Sequence, residues 1–298
     1  MTIEESVNKS LINGLLTESS LKCDEYNLIQ KEAVKMLKAI MFDLDDTLLW
    51  DHKSVAAAFA ATCNKATEKY DIDPVQLEKQ VRYYAEKLYP TYEIYPFVKN
   101  IGIGTFEAMW GEFKDDGENF RLLRQTVPDF RKRAWAAGLN QLDIEDDLLA
   151  EELALTFPEE RKKHVYLYNE TIEVLEKLKG KYELLMLTNG SPDLQQMKLS
   201  LSPELAPYFK HIVISGDFGK GKPSQEIFKY ALSLLDVDKQ DVLMVGDNPM
   251  TDILGASKVG IDSVWINHGT RELTDITATF EIDRLREVIP IIQELSNS

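Results

Sequence analysis

A chain of 298 residues with 44% hydrophobic content can bury one large core, or one core and a smaller companion unit, and its composition is not that of a disordered protein. A formal net charge of −16 argues against a nucleic-acid partner, because binding along a phosphate backbone needs a basic stripe. It leaves room for a small phosphorylated ligand, since one or two nearby cations and a metal ion dominate the field inside a cleft.

No apolar run approaches the ~20 residues of a membrane helix, and the opening "MTIEESVNKSLING" lacks the basic start and apolar centre of a signal peptide. The expectation is a cytoplasmic protein with no membrane partner, present as a monomer or homodimer. The two cysteines, Cys23 and Cys63, form no CxxC pair, and the four histidines, His52, His164, His211 and His268, are scattered, which speaks against structural zinc.

In chain order, residues 1–35 are polar and mixed and read as a loosely ordered N-terminal extension, with a short amphipathic helix over Asn27 to Leu37 as the alternative. A second plausible start stands at Met36. An apolar run from Leu37 to Phe42 then predicts a strand, and it ends in "MFDLDDTLLW", where Asp43, Asp45 and Asp46 crowd together. Like charges so close disfavour one another's ionisation and are costly where partly desolvated, so the cluster calls for a purpose.

Residues 54–166 hold helical-period segments such as "SVAAAFAATCNKATEKY" and "PVQLEKQVRYYAEKLY" and no convincing strand. From Asn169 onward the strands "YELLMLTNG", "HIVISG", "DVLMVGD" and "SVWIN" alternate with amphipathic helices. That alternation reads as a parallel sheet covered on both faces, and the strand ending at Phe42 must join it. The predicted fold class is therefore α/β, a Rossmann-like doubly wound sheet formed by 36–53 and 167–298, with 54–166 inserted as a helical domain. The glycine pair in "GIG", Gly102 to Gly104, lacks a preceding strand and carries little weight as a binding motif.

Ligands of such sheets sit at the carboxyl ends of strands. Those ends carry Asp43 and Asp45 on the first strand, Thr188, Asn189 and Gly190 after "YELLML", and Asp247 after "DVLMVG". Taken singly, an Asp or Asn there is a turn former or a helix cap. Three coinciding strand ends favour a site.

Four segments in order, "DLDDT" at Asp43 to Thr47, "LTNG" at Leu187 to Gly190, the lysine of "GKP" at Lys222, and "GDNPMTD" from Gly246 to Asp252, give the chain a resemblance to haloacid-dehalogenase-superfamily hydrolases over roughly Lys38 to Asn267. The resemblance implies that Asp43 is a nucleophile forming an aspartyl-phosphate and that Asp45 serves as general acid and then base. It implies a Mg²⁺ cofactor held by Asp43, the backbone carbonyl of Asp45, and Asp247. Lys222, the Thr188 hydroxyl and the Asn189 backbone amide would hold phosphate, and Asp252 would orient Lys222 or the water around the metal. The family pattern leaves position 46 free, so Asp46 is expected to serve the turn, and Thr47 to fix that turn through its hydroxyl.

The helical insertion resembles the cap of type C1 members, with hinges expected near Trp50 to Lys53 and Tyr166 to Asn169. Its aromatics Tyr83, Tyr84, Trp110 and Trp135 are expected in its core in preference to the ligand site. The implied activity is hydrolysis of a small phosphomonoester, the overall look being similar to Bacillus-type phosphoserine phosphatases. Nucleotide or sugar-phosphate phosphatases and phosphomutases are the alternatives. A dehalogenase would lack the second aspartate, and a non-enzymatic binding module would show broken motifs.

Overall fold

The structure is a computed structural model that describes residues 36–269 and 275–297; the expected N-terminal extension, with its alternative helix, lies outside the described residues apart from Met36 and Leu37. The first strand is shorter than its apolar run: β1 spans Ala39–Phe42, paired in parallel with β2 (Glu183–Thr188) on one side and β4 (Val242–Gly246) on the other. With β3 (His211–Ile214), β5 (Asp262–Ile266) and β6 (Phe280–Ile282), the described residues form a six-stranded all-parallel sheet in the order β3-β2-β1-β4-β5-β6.

Because side chains alternate along a strand, each strand feeds two cores. Ile40 and Phe42 of β1 join Leu184, Met186, Leu243 and Val245 on one face, against Val174, Leu175 and Leu178 of α7 (Thr171–Leu178) and Val288 and Ile292 of α12 (Val288–Asn297). Ala39 and Met41 join Leu185, Leu187 and Met244 on the other face, against Ile227, Phe228 and Ala231 of α10 (Gln225–Leu235), which follows the short α9 (Ser215–Phe218), and Ala256 of α11 (Leu254–Val259). A sheet covered on both sides needs apolar residues at every position, which is why its strands read as continuous apolar runs. β6 and α12, a three-residue strand and a ten-residue helix, lie beyond the elements that the sequence predicts.

Between β1 and α7 run α1 (Asp51–Ala66), α2 (Pro74–Leu88), α3 (Tyr95–Ile101), the short α4 (Thr105–Ala108), α5 (Glu118–Asn140) and α6 (Asp147–Lys163). Their apolar stripes meet in a separate cluster around Phe59, Trp110, Phe130, Trp135 and Phe157, which Leu194 of α8 (Pro192–Ser200) also joins. Chain enters and leaves side by side: the Trp50 amide donates to the Tyr166 carbonyl at 2.8 Å, the Tyr168 amide to the Leu48 carbonyl at 3.2 Å, and the rings of Trp50 and Tyr168 stack 5.1 Å apart. Arg161, in the last turn of α6, donates to Asp51 at the start of α1 at 2.6 Å, tying the two ends of the helical segment together.

Candidate active site

The register of the central strands lines up their carboxyl ends. Phe42 lies level with Met186 and Val245, so Asp43, whose amide donates to the Val245 carbonyl at 3.0 Å, emerges beside Thr188 and Asp247. Lys222, from the segment after β3, reaches the same place: its ammonium stands 2.6 Å from Asp43 Oδ1 and 2.7 Å from Asp252 Oδ1, and its side chain is 2% exposed. Asn189 holds the backbone of that lysine from both sides, accepting from the Lys222 amide at 2.8 Å and donating to its carbonyl at 3.0 Å. Asp252 lies in a π turn, Pro249–Ile253, and is fully buried. Of the two roles the sequence left open for it, this geometry fits the orientation of Lys222.

Burial pushes the Asp43 carboxyl up to about 7; Lys222 pulls against that shift, and Asp252 adds to it. Burial also works against the charge on Lys222, but Asp252 and Asp43 outweigh it and hold the ammonium firmly protonated. One lysine therefore faces a surplus of buried carboxylate. Asp43, Asp247 and Asp252 each offer an oxygen, all within 4.8 Å of one another. An all-oxygen, anionic donor set with excess negative charge fits a hard divalent cation such as Mg²⁺. The Asp45 carbonyl accepts no described hydrogen bond, so it too could serve as a ligand.

Asp45 is held by residues that the sequence reading did not single out. Gln195 and Lys198, three residues apart on the inner face of α8, both donate to Asp45 Oδ2, at 3.0 and 2.8 Å. Gln195 Nε2 also reaches Thr188 Oγ1 at 2.6 Å and the Asn189 carbonyl at 3.0 Å, so one amide spaces the first two strand ends. Lys198 continues to Glu107 Oε1 of α4, at 2.7 Å. Burial raises the Asp45 carboxyl to about 6, opposed by Lys198 and reinforced by Asp51 and Glu107. The available signal was a Gln and a Lys on the face of a helix whose other inward residues are Pro192, Leu194 and Leu199.

Asp46 sits in the left-handed region at φ 58°, where a short polar side chain is tolerated. Its Oδ1 accepts from the His52 amide at 2.9 Å, which caps α1 in place of Trp50, a residue without a capping side chain. The expected turn role therefore extends to the first turn of the helical segment. Thr47 is a correction. Its hydroxyl is buried without a described partner, and the turn is closed by amides of residues 47–49 donating to the Leu44 carbonyl.

Asp43, Asp45, Asp46, Thr188, Asn189, Lys222 and Asp247 line a cleft of about 360 Å³ whose opposite wall is built from Asp51, His52, Val55, Arg82, Phe106 and Glu107. Trp110 and Trp135 are buried in the helical core and Tyr83 is exposed, and none of the four aromatics singled out in the sequence lines the cleft. The "GIG" stretch, in contrast, lies at the site. Gly102 (φ +78°) closes α3, and a Cβ there would stand 2.7 Å from Asn189 Nδ2. Its use is close packing against "LTNG", a tertiary relation with no local signature.

The sequence matches a family model described as haloacid dehalogenase-like hydrolase over residues 37–260. It is 33% identical over 254 residues, 85% of this chain and 98% of the relative, to a phosphoserine phosphatase of Thermus thermophilus. It is 36% identical to a glyceraldehyde 3-phosphate phosphatase of Pyrococcus abyssi, but over 121 residues, spanning 39% of this chain and half of that relative. The fold is similar to a magnesium-bound crystal structure of the HAD-hydrolase YfnB from Bacillus subtilis, with a TM-score of 0.61 at 22% identity over 86% of this chain and 99% of that one. The chain belongs to the haloacid dehalogenase-like hydrolases, as a phosphatase.

Proposed function

We propose that this chain is a Mg²⁺-dependent phosphomonoesterase that works through an aspartyl-phosphate on Asp43, with O-phosphoserine as its substrate. The observation that carries the reading is the gathering of Asp43, Lys222, Asp252 and Asp247 at two adjacent strand ends, with Asp45 beside them in the same cleft. Asp43 attacks phosphorus and the ester P–O bond breaks, while Asp45 gives its proton to the departing oxygen. Asp45 then takes a proton from the water that attacks the aspartyl-phosphate, freeing inorganic phosphate and restoring the Asp43 carboxylate.

Lys222 offsets the charge of Asp43 and the phosphoryl group, while the Thr188 hydroxyl and the Asn189 backbone amide hold non-bridging oxygens. Asp43, Asp247 and the Asp45 carbonyl are the groups that would hold Mg²⁺, whose chemistry there is to neutralise anions that otherwise repel. A dianionic phosphate and a carboxylate nucleophile need that help, and Lys222 alone falls short of it.

The near-complete overlap with the Thermus relative supports phosphoserine, as does a cleft wall carrying both a cation, Arg82, and a carboxylate, Asp51. A zwitterionic amino-acid ester presents one group of each sign. We take 36–53 and 167–298 as the catalytic core, 1–35 as an extension and 54–166 as a cap, a division supported by the separate helical core and by the paired crossings at Trp50 and Tyr168.

A phosphate-release screen over phosphoserine, nucleoside monophosphates, sugar phosphates and glyceraldehyde 3-phosphate tests the assignment. Phosphoserine should give the highest kcat/KM. A nucleotide or sugar phosphate turned over at least about tenfold better would overturn the substrate, and no release from any ester would overturn the activity.

A further inference from the structure

Lys198 is a buried cation that the reaction as written does not use. Its side chain is 3% exposed, and its ammonium stands 2.8 Å from Asp45 Oδ2 and 2.7 Å from Glu107 Oε1. The two carboxylates come from opposite sides of the cleft: Asp45 follows β1 of the sheet, and Glu107 lies on α4 of the helical segment. Gln195 donates to the same Oδ2 at 3.0 Å, whereas Asp45 Oδ1 is buried with no described hydrogen-bond partner. Both donors thus occupy one oxygen of this carboxyl and leave the other clear.

We propose that Lys198 and Glu107 are positioning residues for Asp45: Lys198 pins Oδ2 so that Oδ1 faces the leaving group, and Glu107 makes that arrangement depend on the helical segment being docked against the sheet. The proposal rests on the phosphatase reading above and deepens it. A carboxyl pinned through one oxygen has one place for the proton it donates, which is the free oxygen. A lysine deep in protein keeps its charge only with partners, and here the second partner arrives with the helical segment. If that segment lifts away, Glu107 leaves, and the long side chain of Lys198 loses one of the two contacts that fix it. The docking is reinforced at the same end of the cleft, where the Gly190 amide donates to the Ile101 carbonyl at 3.1 Å and the Gly221 amide to the Asn100 carbonyl at 2.9 Å.

The leaving group distinguishes positioning from general support. A serine alkoxide needs a proton as its bond to phosphorus breaks, whereas 4-nitrophenolate leaves readily without one, and kcat/KM reports this first bond cleavage for both esters. Expected for Lys198→Met is a fall in kcat/KM that is at least about tenfold greater for phosphoserine than for 4-nitrophenyl phosphate. Glu107→Gln keeps an oxygen for the Gly104 amide, which it accepts at 2.9 Å in the native chain, but turns N–H groups toward Lys198. It should show the same asymmetry, more weakly, and it carries the test if Lys198→Met does not fold. Equal losses on the two esters, or none on either, would overturn the positioning role while leaving the phosphatase reading intact. A wild-type enzyme that releases phosphate from neither ester would overturn that reading, and this one with it.

Discussion

Asp43 is a carboxyl that burial pushes up to about 7 even though the Lys222 ammonium stands 2.6 Å away, and as the proposed nucleophile it would have to be ionised. The groups that would make it so are the lysine and a divalent cation shared by Asp43 and Asp247. Asp43→Asn removes the proposed nucleophile but keeps shape and volume. Phosphate release should fall by about 10³-fold or more with the circular dichroism spectrum unchanged, and near-normal turnover would rule out the covalent route. At Glu112 the sign of a pH effect can be worked out. Hydrogen bonds from Lys114 and Lys162 hold its carboxyl down at about 2, below the ordinary glutamate value. A depressed carboxylate contributes stability that is fully present above its unfolded pKa and lost as pH falls toward the folded one. The gap in Tm between wild type and Glu112→Gln should therefore be widest above pH ~5 and close as pH drops toward ~2. A gap that is constant across that range would show that Glu112 acts through packing.

At the scale of elements, the site depends on three segments. β1 stops in the turn that aims Asp43 and Asp45, α8 turns Gln195 and Lys198 inward, and α3 terminates at Gly102 against Asn189. Gly102→Ala places a Cβ in the left-handed region and 2.7 Å from Asn189 Nδ2, so the amide that clamps the Lys222 backbone must move. The conformational cost is about 1–2 kcal/mol. The displacement should lower kcat/KM by on the order of tenfold, since a shift well under an ångström at a positioning group is felt in the rate. Thermal unfolding and kinetics on one preparation separate the two effects, and a variant with native kinetics would show that this contact carries no function. Three of these dependencies were legible to different degrees. The β1 turn was readable because its three acids are adjacent in sequence, whereas Gln195 and Lys198 looked like ordinary polar positions of an amphipathic helix. Gly102 looked like half of a motif it does not belong to.

At the scale of the whole molecule, a bound cation would link β1 to β4 through Asp43 and Asp247, and with them the two halves of the sheet. A ligand that binds only the folded state stabilises it by RT ln(1 + [L]/Kd), so saturation at about 100 Kd is worth ~2.7 kcal/mol. Mg²⁺ added to chelator-treated protein should raise Tm by several degrees and restore activity; a Tm indifferent to Mg²⁺, with activity indifferent to EDTA, would count against the metal site. No helix among the described residues is long and apolar enough to cross a membrane, in keeping with the absence of long apolar runs.

The sequence by itself determined the parallel sheet and the strand ends that carry polar residues. Both depend on local properties, the periodicity of apolar side chains and the requirement that carboxyl ends face the crevice. It also marked Asp43, Asp45, Lys222 and Asp247 through motifs whose members are close in the chain or fixed in order. Tertiary structure alone decided the neighbours of those residues: the carboxylates that share Lys222, the Gln195 and Lys198 that share one oxygen of Asp45, and the Glu107 that reaches across the cleft. Contacts of this kind join residues up to 179 positions apart. Their energy comes from the pairing of charges removed from water, which no local pattern of residues records.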